Sequence, residues 1–172
     1  MQQRWTCLVA VLVWTGSTLG VHAQAQGDVA RRLIGAWRLV STIQSFADGT
    51  SKPDPQVGPT PNGYMIYTDT RRMCAMFTNP ARPAWASPAA PTEMELRSVI
   101  DFMGAYCGTY EVNAEGGFVV HHVEIERVPN FIGTARKRFF KLDGDRLILS
   151  LDPATLPAGM TATTITWQRV TQ

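Results

Sequence analysis

His121 and His122 are the only imidazoles beyond the first 23 residues of the chain. Neighbouring side chains on a strand point to opposite faces, so the two cannot jointly line one cavity or easily chelate one metal. No Gly-x-Ser-x-Gly, no Cys-x-x-Cys and no phosphate-binding glycine loop accompanies them. Nucleophilic hydrolysis, thiol redox chemistry and nucleotide binding therefore have no positive signal, and neither a metal nor a cofactor is expected. Two kinds of chemistry remain. One is proton transfer by a single imidazole, whose ordinary pKa of about 6.5 suits work near neutrality. The other is a polar contact to a bound molecule.

The face that points inward decides which histidine is available. In the run Phe118–Val128 the odd set is Val119, His121, Val123 and Ile125, and the even set is Phe118, Val120, His122, Glu124 and Glu126. The odd set stays apolar to its end while the even set turns acidic, so burial places the odd face, with His121, inside. His122, Glu124 and Glu126 then form a solvated face. Under the reverse reading His122 and Glu124 share the inner face, roughly 7 Å apart along the strand, a spacing that suits an acid–base pair. His121, His122 and Glu124 are thus the catalytic candidates.

The next run, Thr134–Leu142, alternates Arg136, Arg138, Phe140 and Leu142 with Ala135, Lys137, Phe139 and Lys141. The lysines favour the odd set as outer. Arg138 then faces inward, and a short connection through Asn130 sets Val123 opposite Arg138 and His121 opposite Phe140. An inward guanidinium needs a partner, which a ligand carboxylate or phenolate can supply bidentately. A structural pair with a barrel carboxylate or a backbone carbonyl, or a place at the rim in water, satisfies it without any ligand. Tyr106 and Tyr110 share one strand face, where their hydroxyls would be polar points in a mostly apolar cavity. Phe77 and Val123 read as its wall.

These residues sit in a chain of β-type runs broken by Gly, Pro, Asn and Asp. Strands are expected over residues 36–46, 63–68, 72–78, 105–112, 118–128, 134–142, 146–151 and 160–170. Asp28 can cap a short helix ending at Gly35, after a loose tail from Gln24 to Gly27. Thr92, followed by Glu93 and Glu95, starts a second helix over Thr92–Met103, with Met94, Val99, Phe102 and Met103 as its apolar stripe and Gly104 as its stop. Residues 51–61 hold prolines and glycines with no period and read as a long loop. Eight strands with short turns and two helices indicate an all-β, closed up-and-down antiparallel barrel, which has no exposed sheet edge. A two-sheet sandwich fits the same strand pattern.

The chain has 172 residues and a net charge of +2, a balance that gives no electrostatic reason to expect nucleic acid or an anionic membrane surface as partner. Arg4, the apolar run Leu8–Val13 and the small residues of Val21-His22-Ala23 read as an export leader over residues 1–23, leaving 24–172 as one domain in the periplasm or outside the cell. The apolar part is too short to span a bilayer of about 30 Å. An oxidising compartment permits a bridge between Cys74 and Cys107, but two thiols do not make a disulfide framework. Two separate small core residues are the simpler expectation.

Several segments carry a family resemblance: Leu33–Leu39 with its Gly35-x-Trp37, Asn62–Thr68, Ala105–Tyr110, His121–Gly133 and Thr166–Val170. In this order they resemble the lipocalin-like domain family of the calycin group. The resemblance implies a barrel whose floor is closed by Trp37, with Arg169 of the last strand packed across it. Some barrels of this kind bind apolar ligands and a few calycin relatives act as cyclases or isomerases. The first expectation is therefore an exported protein that binds a small, mostly apolar ligand in the barrel, oriented by His121, Arg138, Tyr106 and Tyr110. The second is a cofactor-independent isomerase or cyclase with an interior histidine as general acid–base. The third is a filled barrel with a structural role, which an interior cavity would separate from the other two.

Overall fold

The computed structural model describes residues 18–171. Arg4 and the run Leu8–Val13 of the expected leader lie outside the described residues. The strands are β1 (Gly35–Phe46), β2 (Ser51–Pro53), β3 (Asn62–Tyr67), β4 (Arg72–Thr78), β5 (Met103–Asn113), β6 (Phe118–Glu126), β7 (Ala135–Asp143), β8 (Arg146–Leu151) and β9 (Met160–Arg169), with helices α1 (Thr18–Leu33) and α2 (Glu93–Asp101). All neighbours are antiparallel and β1 pairs with both β3 and β9, so the eight strands other than β2 close into a barrel. The β1–β9 seam runs from Trp37↔Arg169 to Phe46↔Met160. This is the closed barrel expected from the strand pattern, not the sandwich.

Alternation drives the closure. In β3, Gly63, Met65 and Tyr67 are buried while Tyr64 and Ile66 face out; in β4, Met73 and Ala75 point in. One end, the floor, is packed with Leu33, Trp37, Tyr67, Leu147 and Trp167. The indole N–H of Trp37 donates to the Leu33 carbonyl at 2.8 Å. The guanidinium of Arg169 lies 4.1 Å over the Trp37 ring and donates to the carbonyls of Ile34, at 2.9 Å, and Arg32. Two barrel side chains thus satisfy carbonyls that the C-terminus of α1 leaves orphaned, and a cation sits at the negative end of the helix dipole.

Several elements differ from the sequence expectation. α1 begins at Thr18, so residues 24–27 are helical rather than loose, and Asp28 pairs with Arg31 inside the helix instead of capping it. Tertiary anchoring accounts for the longer helix. The Gln26 amide bonds to the Val112 carbonyl and the Ala114 N–H, and Ala30 and Leu33 are buried. Residues 51–61 contain β2, an edge strand too short to show a period, which pairs with the mouth half of β1 through Ile43↔Pro53. α2 has the Thr92 cap as a full capping box with Glu95. It ends at Asp101, however, and Met103 and Gly104 already belong to β5; Ser98 is its buried residue while Met94 is exposed. Among the described residues no helix is long and apolar enough to cross a membrane.

Cys74 and Cys107 form a disulfide, correcting the expectation of two separate core residues. They are directly opposed across β4–β5 with their Cα atoms 4.1 Å apart, on the outer face of the barrel. Neither sequence spacing nor composition reveals a cross-strand pairing of this kind.

Strand β6 breaks the parity rule. A bulge at Glu124 separates Gly108↔Val123 from Cys107↔Ile125. Beyond it the faces exchange, so Ile125 is 66% exposed and Glu126 points inward, the reverse of the expected assignment. Gly108 makes the bulge possible: a Cβ there would lie 1.8 Å from the His122 carbonyl oxygen. The β6–β7 register is also corrected, with Val119 opposite Arg138 and His121 opposite Arg136, a shift of four residues along β7. The connection is longer than expected, because it includes the bulge and a 3-10 turn at Pro129–Phe131, and pairing resumes with Val123 N–H donating to the Thr134 carbonyl. An even shift keeps the faces, so Arg138 still points inward.

Candidate functional site

The segment from Asp54 to Gly58 lies across the mouth of the barrel and partly covers it. Its hold on the barrel is made of three hydrogen bonds: Asp54 N–H to the Thr42 carbonyl at 2.9 Å, Gln56 Nε2 to the Met103 carbonyl at 3.1 Å and Asn79 Nδ2 to the Pro55 carbonyl at 3.3 Å. Val57 turns down into the interior and is 1% exposed. Below this cap lies a cavity of about 200 Å³. Leu39, Val57, Phe77, Leu151 and Ile165 give it apolar walls, and Thr42, Thr163, Asp54, Gln56, Arg136 and Arg138 supply the polar groups. Phe77 reaches the wall because Gly104 opposite it has no side chain; a Cβ there would lie 2.3 Å from the ring.

The two cavity arginines are not equivalent. Arg136 has the inward Glu126 as partner, 2.7 Å away, and lies 4.7 Å over the Tyr106 ring. Arg138 donates to the Lys137 carbonyl at 2.9 Å and has no carboxylate within ion-pair distance among the described residues. Burial lowers its pKa, opposed by the Tyr106 and Tyr67 hydroxyls. A guanidinium has donors to spare after one carbonyl, and these face a cavity.

Beside the cavity, His121 is fully buried between two tyrosines. Tyr67 Oη lies 2.7 Å from Nε2 and Tyr106 Oη 3.0 Å from Nδ1. Burial, and then the charges of Arg138 and Arg136, hold the imidazole pKa down to about 3. Burial also raises both tyrosines. The array is therefore neutral near pH 7. A neutral imidazole has one N–H and one lone pair, so one tyrosine donates and the other accepts. With both nitrogens engaged and the neutral form favoured, the imidazole holds the two tyrosine hydroxyls in place.

The other sequence candidates separate cleanly. Arg138 and Phe77 line the cavity, while His121, Tyr106 and Val123 pack beside it. Tyr110 is buried, and its hydroxyl donates to the Thr68 carbonyl at 2.8 Å, away from the cavity. His122 is on the outer face, 3.5 Å from Glu111, and Glu124 is outside in an ion pair with Arg72. The His122–Glu124 acid–base pair is thereby excluded from the interior. Tyr67, Asp54, Arg136 and Glu126 were not singled out as site residues. Tyr67 could have been found, since it alternates with Met65 on an apolar face; Glu126 could not, because no residue type announces the bulge before it. No group of three His, Cys, Asp or Glu side chains able to hold a metal gathers among the described residues.

A barrel of eight strands leaves an interior that side chains fill or that holds one small molecule; here a cavity of about 200 Å³ remains above the packed floor. The lipocalin-like domain family matches residues 34–170, and the chain belongs to that family. The match begins at Ile34, just before Trp37, and ends just past Arg169, spanning every strand of the barrel. Among curated proteins none matches the chain.

Proposed function

We propose that this protein is exported and binds a small amphipathic molecule in the barrel, with an anionic or strong acceptor end on Arg138 and an apolar body against Phe77, Leu39 and Ile165. The observation that carries this reading is the Arg138 guanidinium, turned into a capped cavity without a carboxylate of its own. A buried charge left without a partner is costly, and a ligand carboxylate completes it bidentately. Size follows from volume. About 200 Å³ is below the range of roughly 300–1,000 Å³ usual for drug-sized ligands, so a single ring or a short chain fits and a long fatty acid does not without opening the cap. Export is supported by the leader-like residues 1–23, and the Cys74–Cys107 bridge suits an oxidising compartment. Mass spectrometry of protein from the extracytoplasmic fraction is expected to give Gln24 as first residue; an intact Met1 there would count against the leader.

Calorimetric titration of 4-ethylbenzoate and its methyl ester tests the ligand reading. The acid is expected to bind the wild type more tightly than the ester. Arg138→Lys keeps the charge but loses the fork and should weaken the acid by about 1–3 kcal/mol. Arg138→Met should weaken it further while the ester holds or improves. Equal binding of acid and ester to the wild type would refute the role given to Arg138.

A further inference from the structure

The cavity holds a second charge that Arg138 does not neutralise. Asp54 lines it from the segment that lies across the mouth, and no ion pair joins it to Arg136 or Arg138. One carboxylate oxygen accepts the Gln56 N–H at 2.8 Å; the other has no protein donor among the described residues. Arg138 stands on β7, whereas Asp54 is anchored over Thr42 of β1, with β8 and β9 between these strands around the wall. The two opposite charges therefore line one cavity from different strands, in company with the apolar Leu151 and Ile165.

We infer that the ligand is dipolar: a small molecule with an apolar body, an anionic end on Arg138 and a cationic or strong donor end on Asp54. This rests on the role proposed above for Arg138 and adds the other end of the ligand. Charge balance supports it. Arg136, Arg138, Asp54 and Glu126 together sum to zero. A simple monoanion would leave the cavity with a net negative charge beside Asp54, and like charges brought together in one small site repel. A zwitterion, such as an amino acid-like or aminoalkyl-carboxylate molecule, gives each charge a partner and leaves the total at zero. Because Asp54 belongs to the cap, the same contact also fastens the cap over its occupant.

The test compares 4-(aminomethyl)benzoate with 4-ethylbenzoate, which has nearly the same shape and lacks the ammonium group, by calorimetric titration of the full mature protein at pH 7. An alkyl ammonium remains charged at this pH. The aminomethyl acid is expected to bind the wild type roughly tenfold or more tightly than the ethyl acid, the gain from one charge-assisted hydrogen bond. Asp54→Asn preserves the shape and the acceptor for Gln56 N–H, and should erase that preference while leaving the ethyl acid bound as well or better. Two results would overturn the inference: no preference for the aminomethyl acid in the wild type, or an undiminished preference in Asp54→Asn. If either arises while the ethyl acid still outbinds its methyl ester, the Arg138 reading stands and only the dipolar ligand falls. If the ethyl acid does not outbind its methyl ester, or no probe binds at all, the Arg138 reading falls with it.

Discussion

His121 shows how its surroundings decide the protonation state of a residue type that suggests catalysis. Its ring nitrogens are taken by Tyr67 and Tyr106, and its pKa is held near 3 by burial and by the arginine charges. The unfolded chain, with an imidazole near 6.5, takes up a proton that the folded one refuses. The stability contributed by a neutral His121 is thus complete above about pH 6.5 and falls as the pH drops toward 3, by up to about 1.4 kcal/mol per pH unit. Urea unfolding at pH 7 and pH 5.5 is expected to show this loss in the wild type and a smaller one in His121→Gln. Parallel losses would mean the imidazole is not held neutral. Tyr67→Phe should cost about 1–3 kcal/mol by leaving a ring nitrogen unpaired, measurable in the same assay. Sequence parity was enough to place His121, Val119 and Arg138 inside, because their stretches alternate without interruption. It failed for Ile125 and Glu126, two residues past Glu124, since a bulge shifts the period without changing composition.

At the scale of elements, the bulge and the disulfide act on the same pair of strands. Gly108 leaves room for the His122 carbonyl where any Cβ would collide with backbone rather than with a side chain that can move away. Gly108→Ala is therefore expected to cost about 3 kcal/mol, the upper end for overpacked sites, read from denaturant midpoints; a near-neutral result would mean β6 can shift freely at this point. The Cys74–Cys107 bridge lies one register step from Gly108 and closes a loop of 33 residues that contains α2. The chain-entropy model assigns such a loop about 3–4 kcal/mol. The Cys74→Ser, Cys107→Ser double variant should lose about this much stability while keeping its β-rich far-UV spectrum. The strands themselves were legible from alternation and turn residues, and α2 from its Thr92 cap followed by the glutamates of its first turn. β2 was not, because a strand of three residues with Pro53 at its end has neither period nor propensity. The length of α1 was hidden too, since it depends on Gln26 and Leu33 meeting the barrel rather than on local capping.

For the whole molecule, the seam that closes the barrel and the end of α1 meet at one cluster. Trp37 sits at the first register pair of the β1–β9 seam, directly opposite Arg169, and is fully buried. Its indole N–H and the Arg169 fork between them hold the carbonyls of Arg32, Leu33 and Ile34, so the end of α1 is joined to both strands of the seam. Truncating the indole removes a core aromatic, a helix contact and the surface on which Arg169 lies. Trp37→Ala is expected to cost about 3–5 kcal/mol. Arg169→Ala separates the roles: it leaves the indole in place but frees the Ile34 and Arg32 carbonyls and removes the cation from the ring. The expected outcome is faster hydrogen exchange confined to α1 and the paired ends of β1 and β9, with β4–β8 protected as before, since neither Trp37 nor Arg169 stands on them. Trp37→Ala should instead raise exchange throughout β1 and β9. If both variants loosen only α1, the floor is a docking site for the helix and the barrel closes without it; unchanged melting of Trp37→Ala would remove Trp37 from the closure altogether.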